Sequence, residues 1–228
     1  MAHYSDLDAG LSGSSYSAPA APATSATGAY ATFFKRLLDI VLVLLVAPFV
    51  LPVVLGLGLV IRRDGGAAFY CQERIGRGGK VFRLWKLRSM VVDADRKLEE
   101  YLRADTAARA EWDETQKLKE DPRITAAGRL IRKTSLDELP QLWNVLTGDM
   151  SLVGPRPMMP QQAELYPGRD YYRLRPGLTG LWQISDRNQT SFAARAAYDA
   201  EYSRQVSLVT DVLVLFATVW VVLRGTGY

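Results

Sequence analysis

The sequence contains one cysteine and one histidine, and their scarcity excludes several common kinds of site. A single thiol, Cys71, cannot form a disulfide within the chain or supply a multi-cysteine metal centre. The histidine, His3, lies in an amino-terminal segment without hydrophobic patterning, which argues against Ser-His-Asp or Cys-His catalysis and against histidine-ligated zinc. The chemistry must therefore rest on carboxylates, arginines, lysines and hydroxyl groups.

The charge balance is weakly basic, and it narrows the partners without selecting one. The 228 residues carry a net charge of +4, and 48% of them are hydrophobic. A positive surface suits lipid headgroups, a nucleotide pyrophosphate or a nucleic acid. A chain of this length buries one moderate core, so we expect one globular domain, over residues 64–205. Residues 1–30 are rich in small and polar residues and lack the apolar segment of a signal peptide, so we expect a disordered cytoplasmic tail.

An almost uncharged apolar run over residues 37–61 is long enough, as one helix, for the ~30 Å hydrocarbon core of a membrane. Pro48 and Pro52 interrupt the run near its middle, and basic pairs flank it at residues 35–36 and 62–63. Because positive residues favour the cytoplasmic side, both ends favour the same side, which a helix bent at the prolines would satisfy. A proline-kinked helix that spans the membrane is the alternative that these residues leave open.

Two adjacent carboxylates, Asp137 and Glu138, are the main candidates for catalysis. Apolar residues at helical spacing between 136 and 146 predict a short helix with the carboxylates away from its packed face. Because Pro140 fits only in a first turn, the helix should start near Asp137, where the helix dipole favours an ionised carboxylate by ~0.3–1 kcal/mol. A purely structural function fits equally well, since Ser135-x-x-Glu138 matches a capping box and Asp137 is a good N-cap.

An arginine between two prolines, Pro155-Arg156-Pro157, follows the carboxylates in sequence. The prolines restrict the backbone and the planar guanidinium matches phosphate oxygens, so we expect this loop to hold a pyrophosphate or a nucleotide. A turn with an exposed arginine is the alternative. Upstream, Arg132 is close enough in sequence to keep the carboxylates ionised and to hold a substrate phosphate, whereas we interpret Arg129 as an ordinary surface residue.

The remaining segments predict the secondary structure around these residues. Alternating apolar residues between 67 and 87, around the glycines of 76–79, predict a β-hairpin whose glycine spacing differs from that of a P-loop. Residues 93–120 predict one long, heavily charged helix. The carboxyl-terminal segment 206–228 is apolar but short for a membrane span and is interrupted by Asp211, so we expect an interfacial helix.

Several long motifs in one order resemble the bacterial monotopic phosphoglycosyl transferases, which prime polysaccharide and glycan assembly on a polyprenyl phosphate. These motifs are Lys86-Leu-Arg88-Ser-Met90, the segment 134–157 and Arg175-Pro-Gly-Leu-Thr-Gly180, and the resemblance runs from about Phe33 to the end of the chain. It implies an α+β, mainly helical fold at the bacterial inner membrane. A re-entrant N-terminal membrane helix over residues 31–63 would precede a small cytoplasmic catalytic domain and interfacial amphipathic helices.

The resemblance also implies a mechanism. Asp137 would attack the sugar-bearing phosphate of a UDP-hexose, with galactose and glucose as the favoured sugars, and polyprenyl (undecaprenyl) phosphate would then attack the aspartyl phosphosugar. Asp137 would also contact Mg²⁺, and Glu138 would assist as a neighbouring carboxylate. The residues expected to bind substrate are Lys86, Arg88, Arg132, Pro155, Arg156, Pro157 and Arg187. The family often carries Gly-Arg-Asn where this chain has Asp186-Arg187-Asn188, and this acidic neighbour weakens the assignment of Arg187.

Two other classes of protein compete with this interpretation. A non-enzymatic membrane scaffold that binds anionic lipid would share the apolar runs and the basic charge, and exchange of UMP into UDP-sugar separates it from a transferase. A nucleic-acid-binding protein is disfavoured by the apolar run and by the lack of a recognisable motif. We therefore expect UDP-hexose, polyprenyl phosphate and membrane lipid as partners, and no nucleic acid. The sequence neither requires nor excludes a homo-oligomer.

Overall fold

The computed structural model describes residues 28–115, 118–185 and 191–223, and this part of the chain is mainly helical with two small sheets. The helices are α1 (Lys35–Ile61), α2 (Ala94–Ala104), α3 (Thr106–Thr115), α4 (Ala126–Lys133), α5 (Gln141–Thr147), α6 (Leu181–Ile184), α7 (Arg195–Gln205) and α8 (Leu208–Leu223). The strands are β1 (Phe69–Ile75), β2 (Val81–Leu87), β3 (Ser151–Val153) and β4 (Gly177–Thr179). Strands β1 and β2 pair antiparallel, and β3 and β4 pair parallel. The mainly helical α+β class is thus confirmed.

Helix α1 continues through Pro48 and Pro52, so the prolines do not end it. Short helical turns extend it at both ends into one segment, Tyr30–Asp64, which is long and apolar enough to cross a membrane. Only 11% of the most apolar window of this segment is buried in the protein, which is unlike the core helix of a soluble domain. The re-entrant path stays a prediction at this point. Of the tail predicted over residues 1–30, the first 27 lie outside the described residues.

Both ends of α1 are fixed to the same globular part of the chain. Near the amino terminus of the helix, the buried carboxylate of Asp39 accepts a hydrogen bond of 3.0 Å from the backbone N–H of Leu152. At the carboxyl terminus, the carbonyl oxygen of Ile61 accepts a hydrogen bond of 3.2 Å from the guanidinium of Arg88. The side chain of Ile61 belongs to a buried cluster with Leu87. The helix therefore lies along the domain and does not point away from it.

The predicted hairpin is confirmed, and it orients one of the predicted site residues. The register runs from Phe69 opposite Leu87 to Ile75 opposite Val81. Alternate residues of a strand share one face. Lys86 therefore leaves β2 on the side of the buried residues Phe82 and Leu84, towards the interior.

The single helix predicted over residues 93–120 is wrong, because the structure forms α2 and α3 there and residues 116–117 lie outside the description. Asp105 separates the two helices with an extended backbone. Its Oδ1 accepts hydrogen bonds from the backbone N–H groups of Ala107 at 2.9 Å and Ala108 at 3.0 Å. An aspartate that caps a new helix start stabilises it by about 1 kcal/mol, which here outweighs continuation of the first helix.

The main core lies where α1, the hairpin, α5, β3 and α8 meet. Its buried members include Val43, Phe82, Val145, Leu152 and Val214, one from each of these elements. The core thus joins α1 to the two segments that carry the predicted carboxylates and the predicted arginine loop.

Helix α8 combines a buried acid with an exposed apolar face. Asp211 accepts hydrogen bonds from the Tyr202 hydroxyl at 2.6 Å, the Tyr30 hydroxyl at 2.7 Å and the Lys35 ammonium at 2.6 Å. These bonds satisfy the charge that interrupts the apolar run in the sequence and tie α8 to the start of α1. Apolar side chains such as Phe216 are exposed on the other side, as in a helix at a membrane interface. Residues 224–228 of the predicted C-terminal segment lie outside the description.

Candidate active site

Asp137 and Glu138 lie in a single tight turn, Leu136–Glu138, that precedes α5. The helix was predicted to start near Asp137; a helical turn does cover Leu136–Glu138, but the α-helix itself begins after Pro140, which is its N-cap residue. Proline fits there because the first residues of a helix have no helical partner for a backbone donor. Ser135 precedes the turn with a left-handed backbone (φ 56°), and within the described residues its side chain caps nothing, so the capping-box alternative is excluded.

Asp137 is buried, with 8% of its surface exposed, although the helical spacing predicted that both carboxylates project away from the packed face. Burial raises the pKa of this carboxyl above its usual range, and the ammonium of Lys86, 3.8 Å from Oδ2, acts in the opposite direction. The neighbouring charge of Glu138 raises the pKa further, whereas Arg132 lowers it. A buried carboxylate whose ionised form is favoured by a nearby ammonium and a guanidinium is suited to act as a nucleophile or a metal ligand.

Glu138 also pairs with the Lys86 ammonium, but its side chain is more exposed to solvent. Its Oε1 is 2.8 Å from Nζ of Lys86, and 25% of its side chain is exposed, compared with 11% for Asp137. The two neighbouring carboxylates therefore have different environments, which favours different functions for them.

Asn144 holds the lysine strand against the carboxylate segment, and sequence analysis did not identify it. This side chain is 1% exposed; its Nδ2 donates to the carbonyl oxygen of Arg83 at 2.7 Å and its Oδ1 accepts from the backbone N–H of Trp85 at 3.0 Å. Asn144 lies on α5 and the two backbone partners lie on β2, next to Lys86. The signal in the sequence was an amide among the apolar residues of a short helix, because buried amides are retained where they satisfy other polar groups.

Arg132 lies beside the dyad, on a helix that is capped locally. Helix α4 begins after Thr125, whose hydroxyl oxygen accepts a hydrogen bond of 2.9 Å from the N–H of Gly128. The Nε of Arg132 donates to the Ser89 hydroxyl at 2.8 Å, and the charge of this arginine interacts with Asp137. This is the neighbourhood that its sequence position predicted.

Arg88 faces a different direction from the one expected. Its Nε donates to the carbonyl oxygen of Ala67, and its terminal nitrogens donate to Asp64 and to the carbonyl oxygens of Ile61 and Met90. A guanidinium has five donors, and these bonds use all of them. The structure therefore gives Arg88 a structural position under the end of α1.

The predicted arginine loop follows a very close approach of two backbones. The N–H of Gly154 donates to the carbonyl oxygen of Thr179, and the N–H of Gly177 donates to that of Pro155, both at 2.8 Å. A Cβ atom at Gly154 would overlap backbone atoms of the Arg175–Gly177 segment, so only glycine fits there. Pro155 is buried, Pro157 is half-buried and Arg156 between them is exposed. The loop therefore presents Arg156 from a fixed base.

Two further arginines, Arg74 from β1 and Arg195 from α7, join Arg156, and sequence analysis missed both. The guanidinium carbons of Arg156 and Arg195 lie 5.8 and 4.0 Å from the ring centre of Trp182. Burial and then the charge of Arg156 lower the pKa of both Arg74 and Arg195 to about 10. No local pattern marked these residues, since Arg74 is one of two adjacent charges in a strand of mixed polarity and Arg195 stands among alanines.

This arginine cluster, Arg74, Arg156 and Arg195, has the properties of a polyanion site. Three guanidinium groups repel one another in the free protein, and an anion placed among them relieves that repulsion. Glu138 lies close enough to Arg74 to affect its pKa, so the cluster adjoins the dyad. Within the described residues, the Nε of Arg195 is buried without a hydrogen-bond acceptor. A phosphate oxygen would supply one. Arg187 was also predicted here, and it lies outside the described residues.

The dyad offers the oxygen ligands that Mg²⁺ prefers, although not a complete cage. Across the described residues, no group of three or more His, Cys, Asp or Glu side chains is placed to hold a metal. Magnesium commonly binds through one or two carboxylates and completes its shell with water and substrate phosphates. Asp137 and Glu138 therefore fit a magnesium ion that arrives with a phosphate substrate.

Comparison with known proteins gives one consistent result. The family model described as bacterial sugar transferase matches residues 30–225. The UDP-galactose-lipid carrier transferase of Erwinia amylovora is 52% identical over 197 residues, which are 86% of this chain and 41% of that protein. The exopolysaccharide production protein ExoY of Sinorhizobium fredii is 45% identical over 196 residues, 85% of this chain and 87% of that protein.

A more distant relative is the UDP-glucose:undecaprenyl-phosphate glucose-1-phosphate transferase of Escherichia coli, 36% identical over 197 residues, which are 82% of this chain and 39% of that protein. The chain therefore spans about two fifths of the length of two of these relatives and most of the third. The family model covers the membrane helix, the dyad and the arginine cluster together. The resemblance found in the sequence motifs is confirmed, and the chain belongs to the bacterial sugar transferase family.

Proposed function

We propose that this chain transfers a hexose 1-phosphate from a UDP-sugar to a polyprenyl phosphate, releasing UMP, as the first membrane step of exopolysaccharide or glycan assembly. The observation that carries the proposal is the buried carboxylate of Asp137 beside the ammonium of Lys86, next to three arginines that suit a diphosphate. The names of the relatives refer to UDP-galactose, UDP-glucose, a lipid carrier and undecaprenyl phosphate. These names favour galactose or glucose as the sugar and undecaprenyl phosphate as the acceptor.

The first step forms a covalent intermediate. A carboxylate oxygen of Asp137 attacks the sugar-bearing phosphorus of the UDP-sugar, the bond from that phosphorus to the bridging oxygen breaks, and UMP leaves with the electron pair. The product is an aspartyl phosphosugar, a type of intermediate that divides one difficult transfer into two easier ones. Burial supports this function of Asp137, because a poorly hydrated carboxylate is the more reactive nucleophile.

The second step returns the enzyme to its starting state. A phosphate oxygen of the polyprenyl phosphate attacks the same phosphorus, the bond to the Asp137 oxygen breaks, and the carboxylate is regenerated as the polyprenyl diphosphate sugar departs. Glu138 is the more exposed carboxylate, and it positions the reacting phosphate or accepts a proton. Magnesium, when bound at the dyad, supplies positive charge that offsets the charge of the phosphates.

The arginine cluster binds the diphosphate of the donor in this proposal. Arg156 is exposed on a fixed loop, so its fork is ready to bind two phosphate oxygens with little loss of entropy. Arg195 supplies the buried donor that has no acceptor among the described residues. In the transition state these arginines neutralise the negative charge that leaves with UMP. This explains why the arginine cluster lies beside the dyad and does not surround it.

We also propose that α1 enters and leaves the bacterial inner membrane on its cytoplasmic face, with the catalytic domain in the cytoplasm. The support is that Asp39 near one end and Ile61 at the other end of α1 both bond to the same polar domain. A helix that crossed the ~30 Å hydrocarbon core would place these two contacts on opposite sides of it. Labelling of cysteines added near residues 33 and 65, in a variant without Cys71, tests the path. Impermeant reagent applied from outside should reach neither, whereas labelling of one site alone contradicts the re-entrant path.

The test of the function separates Asp137 from Glu138. Each purified variant is incubated with labelled UDP-sugar and Mg²⁺ without polyprenyl phosphate, and protein-bound mass is measured. We expect an adduct in the wild type, none in Asp137→Asn and a reduced amount in Glu138→Gln, because an amide is not a nucleophile whereas a positioning group leaves residual rate. Glu164→Gln, an exposed carboxylate outside the dyad, serves as the matched control and should form the adduct normally.

The same experiment addresses the alternatives. An adduct in Asp137→Asn would place the nucleophile elsewhere. Lipid product without any adduct or UMP exchange in the wild type would indicate direct transfer, with Asp137 at most a metal ligand. A membrane scaffold would give neither product nor UMP exchange with any UDP-sugar.

A further inference from the structure

A buried tyrosine, Tyr171, links the two segments that carry Arg74 and Arg156. Tyr171 is 1% exposed. Its hydroxyl donates a hydrogen bond to the carbonyl oxygen of Ile75, which directly follows Arg74 at the end of β1. The same hydroxyl accepts a hydrogen bond of 3.3 Å from the backbone N–H of Met158, just after the arginine loop. One side chain therefore bonds to both backbones beside the arginine cluster.

The hydroxyl takes the place of one bond in a backbone pair. The N–H of Ile75 donates directly to the carbonyl oxygen of Met158 at 3.0 Å. Two residues of an antiparallel pair usually exchange both N–H···O bonds. Here the second connection, from the Met158 N–H to the Ile75 carbonyl, passes through the hydroxyl of Tyr171. Because Pro157 has no N–H, the amide of Met158 is the first backbone donor after Arg156 that can fix the loop.

The ring that carries this hydroxyl is itself held in place. Tyr171 makes edge-to-face contacts with Tyr166 and Tyr172, with ring centres 5.7 and 5.4 Å away. Burial raises the pKa of Tyr171, so the hydroxyl keeps the proton that it donates. A hydroxyl held in this way is a spacer of fixed length between the two backbone segments.

The linked segments carry like charges. Burial and then the charge of Arg156 lower the pKa of Arg74, so the two guanidinium groups repel each other in the free protein. The bonds at Tyr171 oppose this repulsion. Two arginines that are already held at their working separation bind an anion with less loss of entropy than two that must first be brought together.

We propose that Tyr171 is a positioning residue whose hydroxyl sets the separation of Arg74 and Arg156, and thereby the affinity of the arginine cluster for a diphosphate. The proposal rests on the proposed function for the identity of the ligand. It adds a residue that lies outside the cluster and acts on the diphosphate only through the arginines.

The first test removes the hydroxyl and keeps the ring. In Tyr171→Phe, the Kd for UDP, measured by titration calorimetry, should rise about tenfold, which is the loss expected when one charged hydrogen bond is misaligned. The KM for polyprenyl phosphate should stay at the wild-type value, which a general loosening of the fold would not allow. Tyr30→Phe, which removes a tyrosine hydroxyl bonded to Asp211, is the matched control and should bind UDP normally. An unchanged Kd for UDP in folded Tyr171→Phe would overturn the proposal.

A double-mutant cycle tests whether Tyr171 acts through the arginine loop. If it does, Tyr171→Phe should weaken UDP binding much less in an Arg156→Lys protein than in the wild type, because residues that act together have non-additive effects. Additive losses would mean that the two residues act independently, and they would overturn the proposal.

A third measurement needs no variant. Amide hydrogen exchange of the wild-type protein in nanodiscs should show the N–H groups of Ile75 and Met158 exchanging as slowly as those of the main core, because both are buried and bonded. Fast exchange at Met158 would overturn the proposal, since it would mean that the bond to Tyr171 opens readily.

These measurements also distinguish this proposal from the proposed function. Weaker UDP binding by Tyr171→Phe, with no UMP release from any UDP-sugar by the wild type, would reject the transferase reaction and keep the positioning function. Normal UMP release by the wild type, with equal UDP affinity in Tyr171→Phe, would keep the reaction and reject the positioning function.

Discussion

Replacing Lys86 by methionine tests the electrostatics of the site directly. Methionine keeps the unbranched apolar stem and removes the ammonium that lies 2.8 Å from Glu138 and 3.8 Å from Asp137. Burial raises the pKa of Asp137 and Lys86 opposes this effect, so the variant should have a still higher pKa at this carboxyl. Because the nucleophile must be ionised in the free enzyme, the acid limb of kcat/KM should move to higher pH.

The magnitude follows from how far the three side chains are buried. They are between 11% and 25% exposed, so the interaction lies between a surface ion pair and a fully buried one. Exposed pairs contribute about 0–1 kcal/mol, and removal of one partner from a buried pair costs about 3–5 kcal/mol. An intermediate loss of about 2 kcal/mol in transition-state stabilisation corresponds to a roughly 30-fold lower kcat/KM on the plateau above the acid limb.

Two companion variants test the sign of the expected pH shift. Glu138→Gln removes a negative charge that raises the pKa of Asp137, so its acid limb should move to lower pH, opposite to Lys86→Met. Lys86→Arg keeps a cation and should retain a limb near that of the wild type. UMP release is measured against pH at saturating Mg²⁺, and thermal melting in detergent checks that each variant is folded. Two results would refute Asp137 as the ionising nucleophile. One is an acid limb that stays at the wild-type pH in folded Lys86→Met, and the other is a pH shift of the same sign in Lys86→Met and Glu138→Gln.

Three further predictions concern other parts of the site and its frame. Arg156→Lys should lower kcat/KM about ten-fold to a hundred-fold, since loss of a charged hydrogen bond costs ~1.5–3 kcal/mol, while the surface control Arg129→Lys keeps wild-type kinetics. Burial raises the pKa of Asp199 from 3.8 to about 7. Its contribution to stability is therefore lost as pH rises through that range, and Asp199→Asn should melt higher than the wild type at pH 8 and show a flatter pH dependence; a lower melting temperature at pH 8 would contradict this. Asn144→Ala should lower the unfolding free energy by about 1–3 kcal/mol, measured by denaturant melts, because it removes the partner of two part-buried backbone groups of β2; a change below about 0.5 kcal/mol would refute the bridging function.

Local patterns in the sequence predicted the elements that depend on neighbouring residues. The apolar run gave α1, and the alternation around the glycines gave the hairpin, because side-chain periodicity reports which face is buried. Local rules failed where another local signal was stronger. Asp105 started a second helix inside a continuous charged stretch, and Pro140 displaced the start of α5 beyond the carboxylates.

The candidate site was predicted only in part, because sequence patterns report interactions between neighbouring residues. Asp137, Glu138 and Arg156 are marked by neighbours in the sequence, namely an adjacent second acid and flanking prolines. Arg74 and Arg195 carry no such mark and lie near Arg156 because Ile75 of β1, Met158 after the arginine loop and Ala196 of α7 pack in one cluster. Arg88 stood in a matching motif, yet its donors are used by the end of α1.

The sequence by itself thus determined the membrane-associated helix, the mainly helical class, the family motifs and the identity of the carboxylate pair. The tertiary structure alone decided that Asp137 is buried, that Lys86, about fifty residues away, supplies a cation beside it, and that an apolar groove lies between α1 and α5. The physical reason is that helices and turns follow from interactions over a few residues. A pKa, an anion site or a groove depends on burial and on distances between segments that only packing brings together.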